Sequence, residues 1–495
     1  MKGSIMRPPN ILFVFTDEQR FDTMGAYGND RIETPNLDKL AAESTVFEQA
    51  YVTQPVCTPS RSSIMTGLYP HTNGCTENNV PLPLETPCLP ELIAKTPYVT
   101  GYHGKWHLGD EIFAQHGFED WISIDYYTKY YRDWRDKNAK PTYQHWLQDQ
   151  GIFPQNGDAF GRGEAAHLPE EYSKPAYLGQ EGERFIREHR NEPFILFVNF
   201  FEPHMPYYGP RDDQYDPAEI PLPENFHELP GDEQPLKTRL FQRAYYEGGH
   251  SGLPLKTEAD WRRMIANYWG LCSLVDTHFG RILKTLEDCN LMDETIIVYT
   301  SDHGDMMGSH RLLAKCVMYE EAARVPLLIR LPGQHKQQRV STPVSQIDLV
   351  PTLLDLIGED VPYSLDGKSL RPQLEHPHTP NSQDVVFEWN GLNNGFGDVI
   401  GKAVVPDAMR ELADRDEIEA AIGDPVRTIV TTDNWKFNFS MRGEHELYNL
   451  NEDVQETRNL AKDSAYRELM QEMADKLRAW QERTGDTAPA CELRN

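Results

Sequence analysis

The chain has 495 residues, with 48 Lys and Arg against 77 Asp and Glu, and a formal net charge of -29. That length exceeds what one core usually fills, so a large domain with a smaller one is expected. The negative charge disfavours both nucleic acid and an anionic membrane as partners bound through a general surface field, so any anionic substrate must be held locally. 

In chain order, the first element is the apolar run in MKGSIMRPPNILFVFTDEQR. Ile11 to Phe15 is short and no small-residue cleavage site follows, so a buried strand is expected rather than an export signal. As written, the chain is expected to be cytoplasmic, and periplasmic or secreted if a leader has been removed. TPNLDKLAAES reads as a helix with Thr34 as cap, Pro35 at the first position and Leu37, Leu40 and Ala41 on one face. Together with NILFVFT, the runs YVTGYHG, PFILFVNFF, TIIVYTS and VPLLIRLP alternate with helical patterns, which predicts a mostly parallel sheet with helices on both faces. No segment is long enough to span a membrane. Seven scattered cysteines (Cys57, Cys75, Cys88, Cys272, Cys289, Cys316, Cys491), with no C-x-x-C pair, indicate neither a disulfide framework nor a zinc site and suit a reducing compartment.

Residues 125–258 are rich in Tyr, Trp, Pro, Gly and charge, and are read as long decorated loops around the strand Phe194–Phe200. Its Tyr126, Tyr127, Tyr130, Tyr131, Trp134 and Trp146 can stack on sugar or aryl rings, or pack against one another. A helical period then runs from about Asp260 to Asp288, and DLVPTLLDLIG forms a helix from Asp348 that stops at Gly358. Beyond SLDGKSLRPQLEHPHTPNSQ the pattern changes to short strands, DVVFEWN, VRTIVTTD and WKFNFS, and a final helix carrying Leu469, Met470, Met473, Leu477 and Trp480. A boundary is therefore expected near Pro380, with a catalytic domain over residues 1–380 and a C-terminal subdomain over 381–495.

Ligands of open α/β sheets bind beyond the carboxyl ends of the strands. Four predicted strands end in reactive groups: Thr16-Asp17-Glu18, Gly104-Lys105-Trp106-His107, Glu202-Pro203-His204 and Ser301-Asp302-His303-Gly304-Asp305. Acids on two of those ends suit a hard divalent cation, which prefers carboxylate oxygens. Taken singly, each has an ordinary reading: an Asp forms a turn, a His is structural, Lys105 is solvated, Cys57 is a small buried hydrophobe. Four strands ending this way together is not an ordinary coincidence.

The stretch CTPSRSSIMTG resembles the signature of the type I sulfatases of the alkaline phosphatase superfamily, in which Cys-x-Pro-x-Arg marks a cysteine that a separate formylglycine-generating enzyme oxidises to Cα-formylglycine. GKWHLG, PHMPY, SDHGD, KCVMYEEAARVPLLIR and LYNLNEDVQETRNLA follow in the family's order and span nearly the whole chain. The resemblance implies an alkaline-phosphatase-like α/β fold, a central mostly parallel sheet flanked by helices, with a smaller C-terminal subdomain of antiparallel sheet plus helix. It implies a sulfuric ester hydrolase that releases inorganic sulfate from an aryl or carbohydrate sulfate. The nucleophile would be the hydrated aldehyde of modified Cys57: one hydroxyl attacks sulfur and the second then expels sulfate by carbon–oxygen cleavage. 

By the same resemblance, Asp17, Glu18, Asp302 and His303, with the oxygen of modified Cys57, hold a divalent cation. Lys105, His107 and Lys315 neutralise sulfate oxygens, His204 protonates the leaving oxygen, and Asn78 donates a hydrogen bond to the transferred group. In this scheme Pro59 starts a helix whose N–H groups face the anion, and Arg61, four residues after Cys57, donates to the hydrate and the metal-bound oxygens. Two positions depart from the family pattern: many members have Asp where Glu18 stands, and Asn is common in place of His303. Imidazole is a poorer ligand for Ca²⁺ than oxygen, so Ca²⁺ is expected first and Mn²⁺ second. The alternative function is hydrolysis of phosphonate monoesters or phosphodiesters by the same machinery. A catalytically silent binding protein on this fold predicts the loss of chemical residues, yet all are present.

Overall fold

β1 (Asn10–Asp17) is buried along its whole length because its two faces are covered by different layers. Ile11, Phe13 and Phe15 join one apolar cluster, and Leu12 and Val14 join the other, as the two-residue period of a strand requires. In this computed structural model, which describes residues 7–125, 138–155, 157, 159–362, 364–379, 383–391 and 407–493, that strand lies at the centre of a nine-stranded sheet. The other strands are β2 (Thr45–Tyr51), β3 (Val99–Gly104), β4 (Asp120–Ser123), β5 (Phe194–Pro203), β6 (Thr295–Ser301), β7 (Arg324–Arg330), β8 (Gln338–Val340) and β9 (Val344–Ser345). Their order is β4-β3-β5-β1-β6-β7-β2-β8, with β9 also on β2. Only β7 runs against its neighbours, so the sheet is mostly parallel as expected, while VPLLIRLP is its reversed strand. β2 and the short strands β4, β8 and β9 are not marked by long apolar runs.

Helices α1 (Pro35–Ala42), α2 (Cys57–Thr66), α3 (Lys174–Glu188), α4 (Glu258–Asp288) and α5 (Leu349–Leu356) cover the sheet. Leu37 and Leu40 of α1, Leu178 and Phe185 of α3, and Val275, Phe279 and Ile282 of α4 pack on the Leu12 and Val14 face. Ile64 and Met65 of α2 and Leu349 and Leu353 of α5 pack on the other. α4 begins at Thr257, whose side chain and that of Asp260 form a reciprocal capping box. The presence of α3 corrects the reading of residues 125–258 as loops. Two glycines and a proline in KPAYLGQEGERFIRE lower its helix propensity, but a Cβ on Gly182 would come within 2.9 Å of Ile282, so the glycine permits close packing on α4. Trp146 packs against Tyr143 and Tyr177, whereas Tyr126, Tyr127, Tyr130, Tyr131 and Trp134 lie outside the described residues. Among the described residues no helix is long and apolar enough to cross a membrane, and all seven cysteines are unpaired.

A second, antiparallel sheet has the order β10 (Val385–Trp389), β11 (Val426–Val430), β12 (Trp435–Ser440), β13 (Glu446–Asn449). Helix α6 (Arg467–Thr484) covers it through Met470, Met473, Leu477 and Trp480. The boundary placed near Pro380 falls outside the described residues. β10 also touches the large sheet: the ring of Phe387 stacks on that of Tyr51, and Glu388 donates its N–H to the carbonyl of Thr53. 

Arg427 of β11 and Asp486, just beyond α6, form a two-armed ion pair at 2.7 and 2.8 Å with both side chains 1% exposed. Burial pushes the Asp486 carboxyl up, but the hydrogen bonds and charge of Arg427 outweigh it and bring it down to about 2. Asp486→Asn leaves Arg427 buried without its counter-charge and is expected to lower stability by about 3 kcal/mol, read as a shift of the urea midpoint. Because the folded value is depressed, the pair's contribution is complete above the ordinary value of 3.8 and is lost as pH falls through about 2.

Candidate active site

β3, β5, β1 and β6 are adjacent and parallel, so their carboxyl ends open on one edge. Register pairs Thr16 with Phe200 and Ser301, and Gly104 with Asn199, which brings Asp17, Glu18, Lys105, His204, Asp302 and His303 out side by side. Gly104 makes the turn into Lys105 at a φ of 130°, where a Cβ would lie 2.0 Å from the carbonyl oxygen of Asn199. Lys105 thereby folds back onto Asp17 at 2.5 Å. The carboxylate of Asp302 is fixed at both oxygens: Oδ1 accepts from the N–H groups of Glu18 and His303, and Oδ2 accepts from Arg61 at 2.8 Å.

α2 supplies Cys57 and Arg61, and all ten of its residues are buried although CTPSRSSIMT is largely polar. Its hydroxyls account for this. Thr58 donates to the carbonyl of His107, Ser60 to that of Asp302, Ser62 to that of Pro59 and Thr66 to that of Ser62. The helix begins at Cys57, so Pro59 is its third residue and not its first. Proline has no N–H, and the N–H of Thr58 donates to Asn78 Oδ1 at 3.0 Å, which corrects the expectation of an open row of N–H groups facing an anion. Asn78 is thus a cap for α2. Arg61 donates to the candidate metal-binding carboxylates, as expected: Nη2 meets Asp17 at 2.7 Å, Nε meets Asp302, and Nη1 donates to Asn199 Oδ1 and the carbonyl of Lys105. It braces the carboxylates.

Around Cys57 Sγ stand His303 Nε2 at 3.2 Å, Lys315 Nζ at 3.2 Å and Asp17 Oδ1 at 3.8 Å. Ligand atoms of Asp17, Cys57, Asp302 and His303 all lie within 4.8 Å of one another, as do those of Asp17, Glu18 and His204. His303 Nδ1 donates to the carbonyl of Gly304, which leaves Nε2 facing the cluster with its lone pair. Glu18 Oε2 takes Lys315 at 3.0 Å, while Oε1 is buried with no hydrogen-bond partner among the described residues. Such an orphaned oxygen amid three carboxylates fits a divalent cation. Oxygen donors with one imidazole suit Ca²⁺ or Mn²⁺. With Glu18 ionised beside a bound divalent ion, Asp17, Glu18 and Asp302 would be balanced by Arg61, Lys105 and Lys315, and the ion's charge would remain as a surplus for an anionic substrate.

The ionisation states follow from burial and these neighbours. Burial raises Asp17, but Lys105, His204, Arg61 and Lys315 hold it well below the usual carboxylate range. Burial, with help from Asp305 and against Lys315, raises Glu18 to about 8. Burial and then Asp17 raise the Cys57 thiol, so the unmodified side chain is not an activated thiolate. Burial, and after it Lys315, pushes His204 well below its ordinary value, while burial and Lys105 do the same to His107.

A protein-family model described as Sulfatase matches residues 9–359. The chain belongs to the sulfatase family. It is 29% identical over 493 residues to the sulfatase YidJ of Escherichia coli K12, covering 97% of this chain and 88% of that one. It is 29% identical over 413 residues to an N-acetylglucosamine-6-O-sulfatase of Bacteroides thetaiotaomicron, covering 74% of this chain and 71% of the relative. The fold matches that of a phosphonate monoester hydrolase from Silicibacter pomeroyi with a TM-score of 0.77 at 23% identity, covering 97% of this chain and 96% of the other. This protein is thus an enzyme of the sulfatase family with the alkaline-phosphatase-like architecture.

In this sulfatase Asp17, Glu18, Cys57, Arg61, Lys105, His204, Asp302, His303 and Lys315 converge. His107 is placed differently. Its Nε2 meets Asn79 Oδ1 at 2.7 Å, and burial with Lys105 disfavours its charged form. Three contributors carry no motif that would have singled them out. Asn199 holds Arg61, Asn79 holds His107, and the hydroxyl of Tyr268 donates to the carbonyl of Glu18 at 2.6 Å. Asp305, within SDHGD, accepts from Met307 and Ala314 and from the hydroxyl of Tyr207, and so shapes the loop that carries Lys315. Arg61→Lys keeps a charge but not the planar fork that spans Asp17, Asp302 and Asn199. Competition titration with a chelator is expected to show its divalent-ion affinity roughly 10–100-fold weaker than the parent's.

Proposed function

We propose that this enzyme releases inorganic sulfate from an aryl or carbohydrate sulfate ester, with Cys57, oxidised to Cα-formylglycine by a separate formylglycine-generating enzyme, as its nucleophilic residue. The observation that carries this reading is the setting of Cys57: it opens a Cys-x-Pro-x-Arg helix and lies 3.2 Å from both His303 and Lys315, above the Asp17, Glu18 and Asp302 carboxylates. The N-acetylglucosamine-6-O-sulfatase relative supports the carbohydrate half of the reading.

Asp17, Glu18, Asp302 and His303 would hold a divalent cation, which would supply positive charge favouring the deprotonated nucleophile and drawing electrons from the sulfate oxygens. Lys315, beside residue 57, and Lys105, over Asp17, stand ready to pair with the remaining sulfate oxygens. Attack by one hydroxyl of the hydrated aldehyde forms an oxygen–sulfur bond and breaks the sulfur–oxygen bond to the leaving group. Departure of the alkoxide or phenoxide calls for a proton. His204 Nδ1 meets the carbonyl of Met205 at 2.7 Å, which turns Nε2 toward the reaction centre, 3.5 Å from Glu18 and 3.9 Å from Asp17. Burial and Lys315 disfavour its charged form in the free enzyme, and the arriving anion favours its protonation. The second hydroxyl of residue 57 then loses its proton, the carbon–oxygen bond to sulfate breaks, and the aldehyde is restored.

Intact mass is expected to show a loss at Cys57 in protein made beside the maturation enzyme, together with sulfate release. Cys57→Ala is expected to abolish turnover, and mature protein that releases no sulfate from aryl or sugar sulfates overturns the reading. His204→Ala is expected to slow esters with poor leaving groups by about 10²–10⁴-fold while sparing 4-nitrophenyl sulfate, whose leaving group needs little protonation. A lysine-lined pocket also admits a phosphonate monoester or phosphodiester. Comparing kcat/KM on phenyl sulfate and a matched phenyl phosphonate ester decides between them, with sulfate expected to lead.

A further inference from the structure

Outside the catalytic cluster, one other group of metal-ligating side chains converges among the described residues: Cys88, Glu91 and His116, whose ligand atoms all lie within 4.8 Å of one another. Cys88 and the His116 ring are buried, while the Glu91 side chain is 34% exposed, so two donors are closed off and the third opens to solvent. Cys88 precedes the short helix Leu89–Leu92 that contains Glu91, ahead of β3, whereas His116 lies between β3 and β4. Nothing in the sequence announces the group, because its members lack the close Cys and His spacings of zinc motifs.

Part of the arrangement is helix capping. Glu91 Oε2 accepts from the N–H of Cys88 at 3.0 Å, one arm of a capping box. That role suits a Ser, Thr, Asn or Asp at position 88, since sulfur is a weak acceptor, and it makes no use of His116. His116 Nδ1 stands 3.3 Å from the same Glu91 oxygen, and two donors about 2.0 Å from a tetrahedral zinc lie roughly 3.3 Å apart. Gly117 lets the chain close over Glu91, for a Cβ there would come within 3.0 Å of Glu91 Cγ. A thiolate, an imidazole and one carboxylate oxygen suit zinc, whereas Ca²⁺ and Mg²⁺ take oxygen.

We propose that Cys88, Glu91 and His116 bind a zinc ion, with water as its fourth ligand, and that the ion fastens the chain entering β3 to the chain leaving it. As the sulfur–zinc bond forms, the Cys88 thiol releases its proton to solvent, and the imidazole keeps its one proton on Nε2. The fastened segment includes the turn with Lys105 and His107: the Trp106 ring lies 5.7 Å from that of His116, and the carbonyl of Leu108 accepts from the N–H of Leu82 at 2.9 Å. The site is structural and does not depend on which ester the enzyme cleaves.

The test titrates Co²⁺, a spectroscopic stand-in for zinc, into reduced Cys57→Ala protein, whose catalytic centre then offers no sulfur, with excess Ca²⁺ present for the catalytic carboxylates. A near-ultraviolet thiolate-to-cobalt band is expected, together with the visible bands of tetrahedral Co²⁺, and added Zn²⁺ is expected to bleach both. Adding Cys88→Thr removes the sulfur but supplies an ordinary cap, so the protein is expected to keep its urea midpoint in chelator and to lose the band. His116→Gln is expected to form the band only at roughly 100-fold higher Co²⁺ or not at all. No sulfur band in the parent, a band that zinc does not displace, or one that survives Cys88→Thr overturns the proposal. So does a band indifferent to His116→Gln, which decides the matter by itself should the Cys88→Thr protein fail to fold.

Discussion

The guanidinium of Arg61 joins the ends of four strands at a point 1% exposed to solvent: Asp17 at the end of β1, Asp302 after β6, Asn199 on β5 and the carbonyl of Lys105 after β3. Carboxylates at the ends of adjacent parallel strands repel one another, and their burial removes the water that would otherwise screen them. A planar cation with donors in a fixed fork resolves both problems and sets the distance between Asp17 and Asp302. With that spacing fixed, Cys57, one turn earlier on α2, has a defined place above the pair. The rest of the centre is arranged around this brace.

The charges are buried in matched sets, which is why so acidic a chain can hold a pocket for an anion. Excess carboxylates lie on the surface, while the interior opposes Asp17, Glu18 and Asp302 with Arg61, Lys105 and Lys315. The C-terminal sheet contributes through the segment between β6 and β7. Cys316 donates its N–H to the carbonyl of Pro55, and Lys436 of β12 sits between Glu320 and Glu456 at 3.0 and 2.8 Å. Lys315 is therefore positioned from both sides: by the stretch leading into Cys57 and by the second sheet. Its reach to Glu18 and Cys57 depends on segments more than 250 residues apart in sequence.

Much of this was legible in the chain because strand interiors are apolar runs and their ends are abrupt. NILFVFT, PFILFVNFF and TIIVYTS announce buried strands, and the residues that follow each one form the candidate centre. The reversal of β7 was not legible, since a buried strand has the same composition in either direction. α3 was obscured because Gly179 and Gly182 weaken a helix locally while allowing it to pack on α4. Pro59 suggested a helix start that the backbone places two residues earlier, and nothing local in the chain pairs Asn78 with Thr58 or His107 with Asn79.

What the sequence by itself determined is the chemistry available: a cysteine in Cys-x-Pro-x-Arg, acids and bases at four strand ends, and apolar runs able to align those ends in one sheet. Each of those depends on residue type and short spacing, which a linear chain displays directly. The tertiary structure alone decided which polar groups satisfy one another, because hydrogen-bond partners such as Arg61 with Asn199, or Asn78 with Thr58, come from packing between distant segments.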